Sequence, residues 1–204
     1  MIKELRRPNT FWQLAFDIDA THVRDVKGYD FDPGEFDYLS LRRGIRLKGD
    51  LPPVVRLRLE QNSKPLADFP GNALGWPIMS ERLVTHLSPF IQDCVQLIPA
   101  PLFEQHSDKR VPGYFIVNVI KVLNCVDMAH STPRFDGDRL TGFNEVCFDP
   151  AKTRGAHIFK YLVPPDKVDF SVICSYELVK SLDQKGFTGL AFLRCRSTDD
   201  YAEK

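Results

Sequence analysis

Two stretches of this chain carry one pattern. Ile78-Met-Ser80-Glu-Arg-Leu83-Val84-Thr-His-Leu87 aligns position by position with Ile173-Cys-Ser175-Tyr-Glu-Leu178-Val179-Lys-Ser-Leu182 at a constant offset. In each, a short apolar run leads into a serine and then into apolar residues at helical spacing. The serine oxygen can accept from an orphan amide of the first helical turn, and Glu81 suits the positive end of the helix dipole. Each stretch therefore predicts a strand, a serine cap, a short helix and a returning strand. Two copies fall below the three or so repeats that a solenoid needs. A pseudo-symmetric pair and coincident capping grammar both stay open.

The remaining elements follow from period and punctuation. Phe11 to Ile18, Phe36 to Leu47 and Val54 to Glu60 carry strand signals, the last alternating as Val55-Arg-Leu57-Arg-Leu59. Turn residues at Lys27-Gly28, Asp32-Pro33-Gly34, Lys48-Gly49-Asp50 and Pro52-Pro53 divide them into a small antiparallel sheet. Pro65, Pro70, Gly71 and Gly75 interrupt the stretch from Asn62 to Gly75, which reads as a boundary. Pro89 limits the first helix, and Cys94 to Ile98 is its returning strand. Gly113 to Asp127 predicts a buried central strand bent near Asn118 or Asn124, and Ala129 to Arg154 a loop. Ala156 to Val163 and Phe170 to Cys174 are strands, Ser175 caps a helix through Gln184, and Phe187 to Cys195 closes the fold. The expected class is α+β and strand-rich, with a mixed, mostly antiparallel sheet, two short serine-capped helices and a small N-terminal β lobe. The expected divisions are a lobe over 1–62, a connection over 63–74, an α+β domain over 75–196 and a frayed tail over 197–204.

Composition excludes several classes. At 204 residues, folding should bury roughly 70% of the extended surface. Charged residues make up 26% and hydrophobic ones 43%, which gives no reason to expect general disorder. Lys plus Arg equal Asp plus Glu at 27 each, so no global field draws nucleic acid or an anionic membrane. The longest apolar run, Tyr114 to Val126, is broken by Asn118, Lys121 and Asn124 and is shorter than the roughly 20 residues of a membrane span. The basic N-terminus has no apolar stretch behind it, so the expected compartment is the cytoplasm. Cys94, Cys125, Cys147, Cys174 and Cys195 are dispersed, with no Cys-x-x-Cys, and read as reduced core thiols.

Candidate chemistry is sparse. Asp127-Met-Ala-His130-Ser131 holds the residue types of a hydrolytic triad, but triad members normally converge from separate elements, and no Gly-x-Ser-x-Gly elbow occurs. His22, His86, His106, His130 and His157 make no helical metal pair, and no phosphate-binding glycine motif is present. No cofactor is expected. An enzyme or small-ligand site would have to lie around Asn118, Asp127, His130 and His157. One charge pattern stands out: Asp17, Asp19, Asp25, Asp30, Asp32, Glu35 and Asp37 form an acidic block, followed by Arg42, Arg43, Arg46, Lys48, Arg56 and Arg58. The two blocks can neutralise each other on adjacent strands. Alternatively, Asp30, Asp32, Glu35 and Asp37, with Tyr29 and Phe31 interleaved and Trp76 and Phe103 as apolar anchors, can meet a basic protein surface.

From Gly75 onward a set of motifs occurs in order. These are Gly75-Trp-Pro-Ile-Met-Ser80-Glu-Arg-Leu83, Gln96-Leu-Ile-Pro99, Gly113-Tyr114-Phe-Ile-Val-Asn118, Val126-Asp127-x-x-x-Ser131, Ser175-x-x-Leu178 and Gly186-Phe-Thr-Gly189-Leu-Ala-Phe192. Over about Leu74 to Leu193 they resemble the eleventh immunity-protein family of bacterial polymorphic toxin systems. The resemblance implies a cytoplasmic antidote that binds and blocks a cognate toxin. It brings no catalytic residues, and the acidic first lobe lies outside the stretch it covers.

Overall fold

The computed structural model describes residues 9–20, 22–32, 36–49, 51–52, 55–61, 63–183 and 185–201. In chain order the elements are β1 (Phe11–Phe16), β2 (Val26–Asp30), α1 (Leu39–Arg42), β3 (Arg56–Leu59), β4 (Ile78–Ser80), α2 (Glu81–Ile91), β5 (Val95–Pro99), β6 (Leu102–Phe103), β7 (Arg110–Val111) and β8 (Tyr114–Val119). The chain continues through β9 (Val122–Leu123), β10 (Thr132–Asp136), β11 (Arg139–Glu145), β12 (Cys147–Phe148), α3 (Pro150–Thr153), β13 (Ile158–Val163), β14 (Lys167–Val168), β15 (Val172–Ser175), α4 (Tyr176–Leu182) and β16 (Leu190–Ser197). The class is α+β, strand-rich and mostly antiparallel, with parallel pairs at β12/β16, β9/β13 and β3/β6.

Both serines cap their helices. Ser80 Oγ accepts from Leu83 N at 3.2 Å and Ser175 Oγ from Leu178 N at 3.3 Å. The likeness then extends into the sheets. In one unit β4 and β5 lie on either side of β8, both antiparallel to it. In the other, β15 and β16 flank β1 in the same way. Ser80 faces Tyr114 and Val95 faces Val119; at the matching positions, Ser175 faces Phe11 and Leu190 faces Phe16. The central strand follows its unit in the first case and precedes it in the second. The two units therefore share strand order, direction and register, which coincident capping would not produce.

One core joins them. Met79, Leu83, Val84, Leu87, Val117 and Val119 meet their counterparts Cys174, Leu178, Val179, Leu182, Leu14 and Phe16 in a single apolar cluster. At matching helix positions, His86 Nε2 donates to Ser181 O at 2.8 Å. Because side chains alternate along a strand, each sheet has a second apolar face. Ile78, Ile98 and Ile116 pack under α1, β2, β3 and fully buried Trp76. Phe11, Phe159, Tyr161 and Ile173 pack under the hairpin β10–β11, through Leu140 and Phe143.

Several expectations are corrected. Phe36 to Leu47 is not a strand: the Asp37 carboxylate accepts from Leu39 N and Ser40 Oγ, a local turn that starts α1. β1 does not join an N-terminal sheet but is the centre of the seven-stranded one, whereas β2, β3, β6 and β7 make a separate four-stranded sheet. The Gly113 to Asp127 strand breaks at Ile120 and Lys121, whose amides both turn onto Cys94 O, so β8 and β9 serve different sheets. The expected loop over Ala129 to Arg154 holds the β10–β11 hairpin, turned at Gly137 (φ 58°), together with β12 and α3. Pro89 sits inside α2. It cannot donate to Thr85 O, and Ser88 Oγ fills that place at 3.0 Å. Ser197 is buried at the end of β16, and its amide donates to Asp200 Oδ2 at 3.0 Å. Gln184, the expected end of the second helix, lies outside the described residues, and α4 ends at Leu182.

Ser80→Ala and Ser175→Ala should each lower unfolding free energy by about 1 kcal/mol through loss of the cap. Ser80→Ala should cost more, because it also removes a hydrogen bond to a buried carboxylate (Asp68, below). Urea denaturation of the two variants checks both the loss and its order.

Candidate functional site

Three regions carry the side chains that sequence reasoning singled out. The first is the four-stranded sheet. Here the acidic and basic blocks meet across β2 and β3: Asp30 Oδ2 accepts from Arg58 Nε at 2.6 Å. Arg56 pairs with Asp108 at 2.5 Å and Arg24 with Glu104 at 2.8 Å. Asp37 is engaged at the start of α1, and Asp25 Oδ1 accepts from Gly71 N at 2.8 Å. Asp32 is exposed, and Glu35 lies outside the described residues. Tyr29 is exposed and rests on Phe31, which stacks on Trp76 at 6.2 Å between centroids. Trp76 presents no surface; its indole N–H donates to Tyr38 O at 3.2 Å. Phe103 is half-buried beneath the guanidinium groups of Arg56 and Arg58.

The second region is the loop after β9. His130 Nδ1 donates to Asp127 Oδ2 at 2.5 Å, and this bond, ahead of any other contact, holds the Asp127 carboxyl below its usual range. The His130 ring stacks on Tyr201 at 4.3 Å. Ser131 Oγ donates to Asp127 O at 2.6 Å and accepts from Cys147 N at 2.9 Å, so its proton is directed to a backbone carbonyl. The loop is closed by these bonds. The third region is the cap of α4, where His157 Nδ1 lies 2.9 Å from Ser175 Oγ and 3.9 Å from Glu177 Oε2. Asn118 belongs to none of the three. It is buried in β8, where Nδ2 donates to Ile45 O at 2.9 Å and fastens the segment after α1 over the sheet. The structure therefore distributes Asn118, the Asp127–His130 pair and His157 over separate places.

Three hollows on the surface are modest in size. The cleft beside His157, Ser175, Glu177, Asn9 and Thr10 holds about 200 Å³, below the roughly 300 to 1,000 Å³ of small-molecule sites. A hollow of about 290 Å³ by Gln13, Phe16, Phe69 and Phe170 has Arg42 as its charged group, stacked over Phe170 at 4.2 Å. A groove of about 430 Å³ is bounded by Leu51, Pro52, Val55, Pro99, Pro101, Phe103 and Arg110. It is large enough, but it brings no acid and base together. Burial pushes the thiols of Cys125 and Cys195 up to about 12 and that of Cys147 to about 11. These are not thiolates at neutral pH.

Two buried polar groups that sequence reasoning missed hold the frame of the site. Asp68 accepts from Ser80 Oγ at 2.6 Å, Thr188 N at 3.0 Å and the Arg82 guanidinium, tying the 63–75 segment to the cap of α2 and to the approach to β16. Gly189 (φ 82°) is required there, since a Cβ would stand 2.4 Å from Phe69 O. Lys160 Nζ, buried under α1, donates to Leu41 O at 3.1 Å and to Arg42 O. Burial and nearby Arg42 lower its pKa to about 8. Neither residue sits in a motif, so no local signal marks it.

The geometry defines an α+β protein of two like units whose exposed features are faces and grooves. Residues 14–197 match the family model described as Immunity protein family (Imm11), and the chain belongs to that family. The match begins well before Leu74, so the acidic block lies inside it rather than outside. A comparison with curated proteins gives no match. Among the described residues no helix is long and apolar enough to cross a membrane.

Burial alone would raise the Asp68 carboxyl, but its bonds to Arg82, Ser80 and Thr188 bring it below the ordinary value. A carboxyl depressed in the folded state adds stability that is full above the unfolded pKa of about 3.9 and is lost as pH falls through the folded value. Asp68→Asn should therefore be less stable than wild type at neutral pH, with the gap closing below about pH 4. Parallel denaturation curves from pH 7 to pH 3 check this.

Proposed function

We propose that this chain is the antidote of a toxin–immunity pair: it binds a cognate toxin domain in the bacterial cytoplasm and blocks it by occupying its surface, without turnover. The observation that carries the reading is the family match over 14–197. The placement of the candidate polar residues supports it. Asn118 and Ser131 are committed to backbone partners, and Asp127 and His130 to each other. A blocking protein needs shape and anchors rather than a reacting centre. On the first lobe, Tyr29 and Phe31 on the core side of the sheet and Phe103 on its outer face are the aromatic contacts this reading retains, with Asp32 as an exposed acidic neighbour. Asp30 and Asp37, though exposed, are engaged by Arg58 and by the start of α1, and Trp76 braces Phe31 from below.

Co-expression of the chain with the toxin domain encoded beside it should yield a co-purifying complex and protect the host cell. Asp127→Asn and His130→Ala should protect in proportion to their folded fraction, measured by circular dichroism. A variant at either position that folds fully and binds tightly yet fails to protect would overturn the surface-blocking reading.

A further inference from the structure

The two units differ at the outer edge of the returning strand. In β5, Ala100 N bonds to Tyr114 O of the central strand, so by the two-residue alternation of a strand Pro99 and Leu97 face outward. Pro99 has no amide to offer. Proline on an edge is a common way to stop another strand from adding. In β16, Arg196 N bonds outward to Val146 O, where β12 is seated in parallel. The backbone groups of Arg194 and Phe192, two and four residues earlier, face the same edge. Register places Arg194 opposite Trp12 as Pro99 is opposite Phe115, so Arg194 stands where the other unit has its proline.

The rest of this edge fits a strand acceptor. Among the described residues no strand pairs outside β16 before Arg196. Leu190-Ala-Phe-Leu193 carries no charge, and Leu193 is 57% exposed. The flanking Arg194 and Arg196 are already paired, with Asp200 at 2.6 Å and Glu145 at 2.5 Å. β12 shows that this edge accepts a strand within the chain itself. An added segment would continue the line that β12 occupies for only two residues, taking main-chain bonds from the ladder and setting an apolar side chain on Leu193.

We propose that the outer edge of β16 over Leu190–Arg194 receives an extended, largely apolar segment of the toxin domain as an added strand. This rests on the immunity reading. Arg194→Pro tests it, because the matched position in β5 shows that the unit folds with proline there. Binding of the toxin domain encoded beside the chain is measured by calorimetry for wild type, Arg194→Pro, Arg194→Ala and Leu193→Asp, with melting curves confirming the fold.

Arg194→Pro should weaken binding about 30-fold or more, whereas Arg194→Ala, which keeps the amide and loses only the Asp200 pair, should stay within about 3-fold. Leu193→Asp, on an exposed side chain, should weaken binding about 10-fold and serves if the proline variant is unstable. Folded Arg194→Pro and Leu193→Asp proteins that bind as wild type would overturn the edge proposal alone. A wild-type chain that bound no toxin would overturn the immunity reading and this proposal together.

Discussion

Everything in this fold depends on one burial event, the closure of two short helices into the space between two sheets. α2 has 11 residues and α4 has 7, below the roughly 12 to 15 at which an isolated helix becomes even marginal in water. They persist because Leu83, Val84 and Leu87 of one and Leu178, Val179 and Leu182 of the other are buried together. Each such side chain is worth about 1.5 to 3 kcal/mol on burial. The serine caps add less, but they fix where each helix begins, and so which residues face inward. Asp68 then fastens the first cap to the approach to β16, so the start of one unit and the end of the other are held by a single carboxylate.

Likeness of the units makes their differences informative. The three-stranded sheet is sealed on its outer face: Asn118 and Gln96 hold the segment after α1 across it, and Ile98 and Ile116 are buried beneath. On the seven-stranded sheet the hairpin covers the part around Phe159 and Tyr161, while Leu193, the counterpart of Ile98, stays exposed. The edges differ in the same sense: proline stands in one, and in the other an arginine whose outward-facing amide pairs with no strand among the described residues. One unit is finished as a scaffold. The other keeps both a face and an edge open.

The sequence carried part of this and not the rest, for physical reasons. Caps and helix faces were readable because they are local: a serine before apolar residues at helical spacing has few other uses. Fold class and the cysteine reading followed from period and composition. The hairpin over Thr132–Glu145 escaped because its strands are mostly exposed and lack apolar alternation, leaving only Asp136-Gly137 as a signal. The position of β1 between β15 and β16 depends on pairing far along the chain, which no local pattern encodes. Trp76, expected as an apolar anchor, is instead fully buried, and nothing near Asp68 or Lys160 in the sequence marks them as buried. The open edge of β16 became visible only when register matched Pro99 with Arg194.

Amide hydrogen exchange of the chain, free and bound to its toxin domain, tests the central claim most directly. The account predicts that the amides of Phe192 and Arg194 become protected in the complex, while Leu97 at the matched edge of β5 exchanges as before. Protection at Leu97 with none at Phe192 and Arg194, or no change at either edge in a saturated complex, would contradict it.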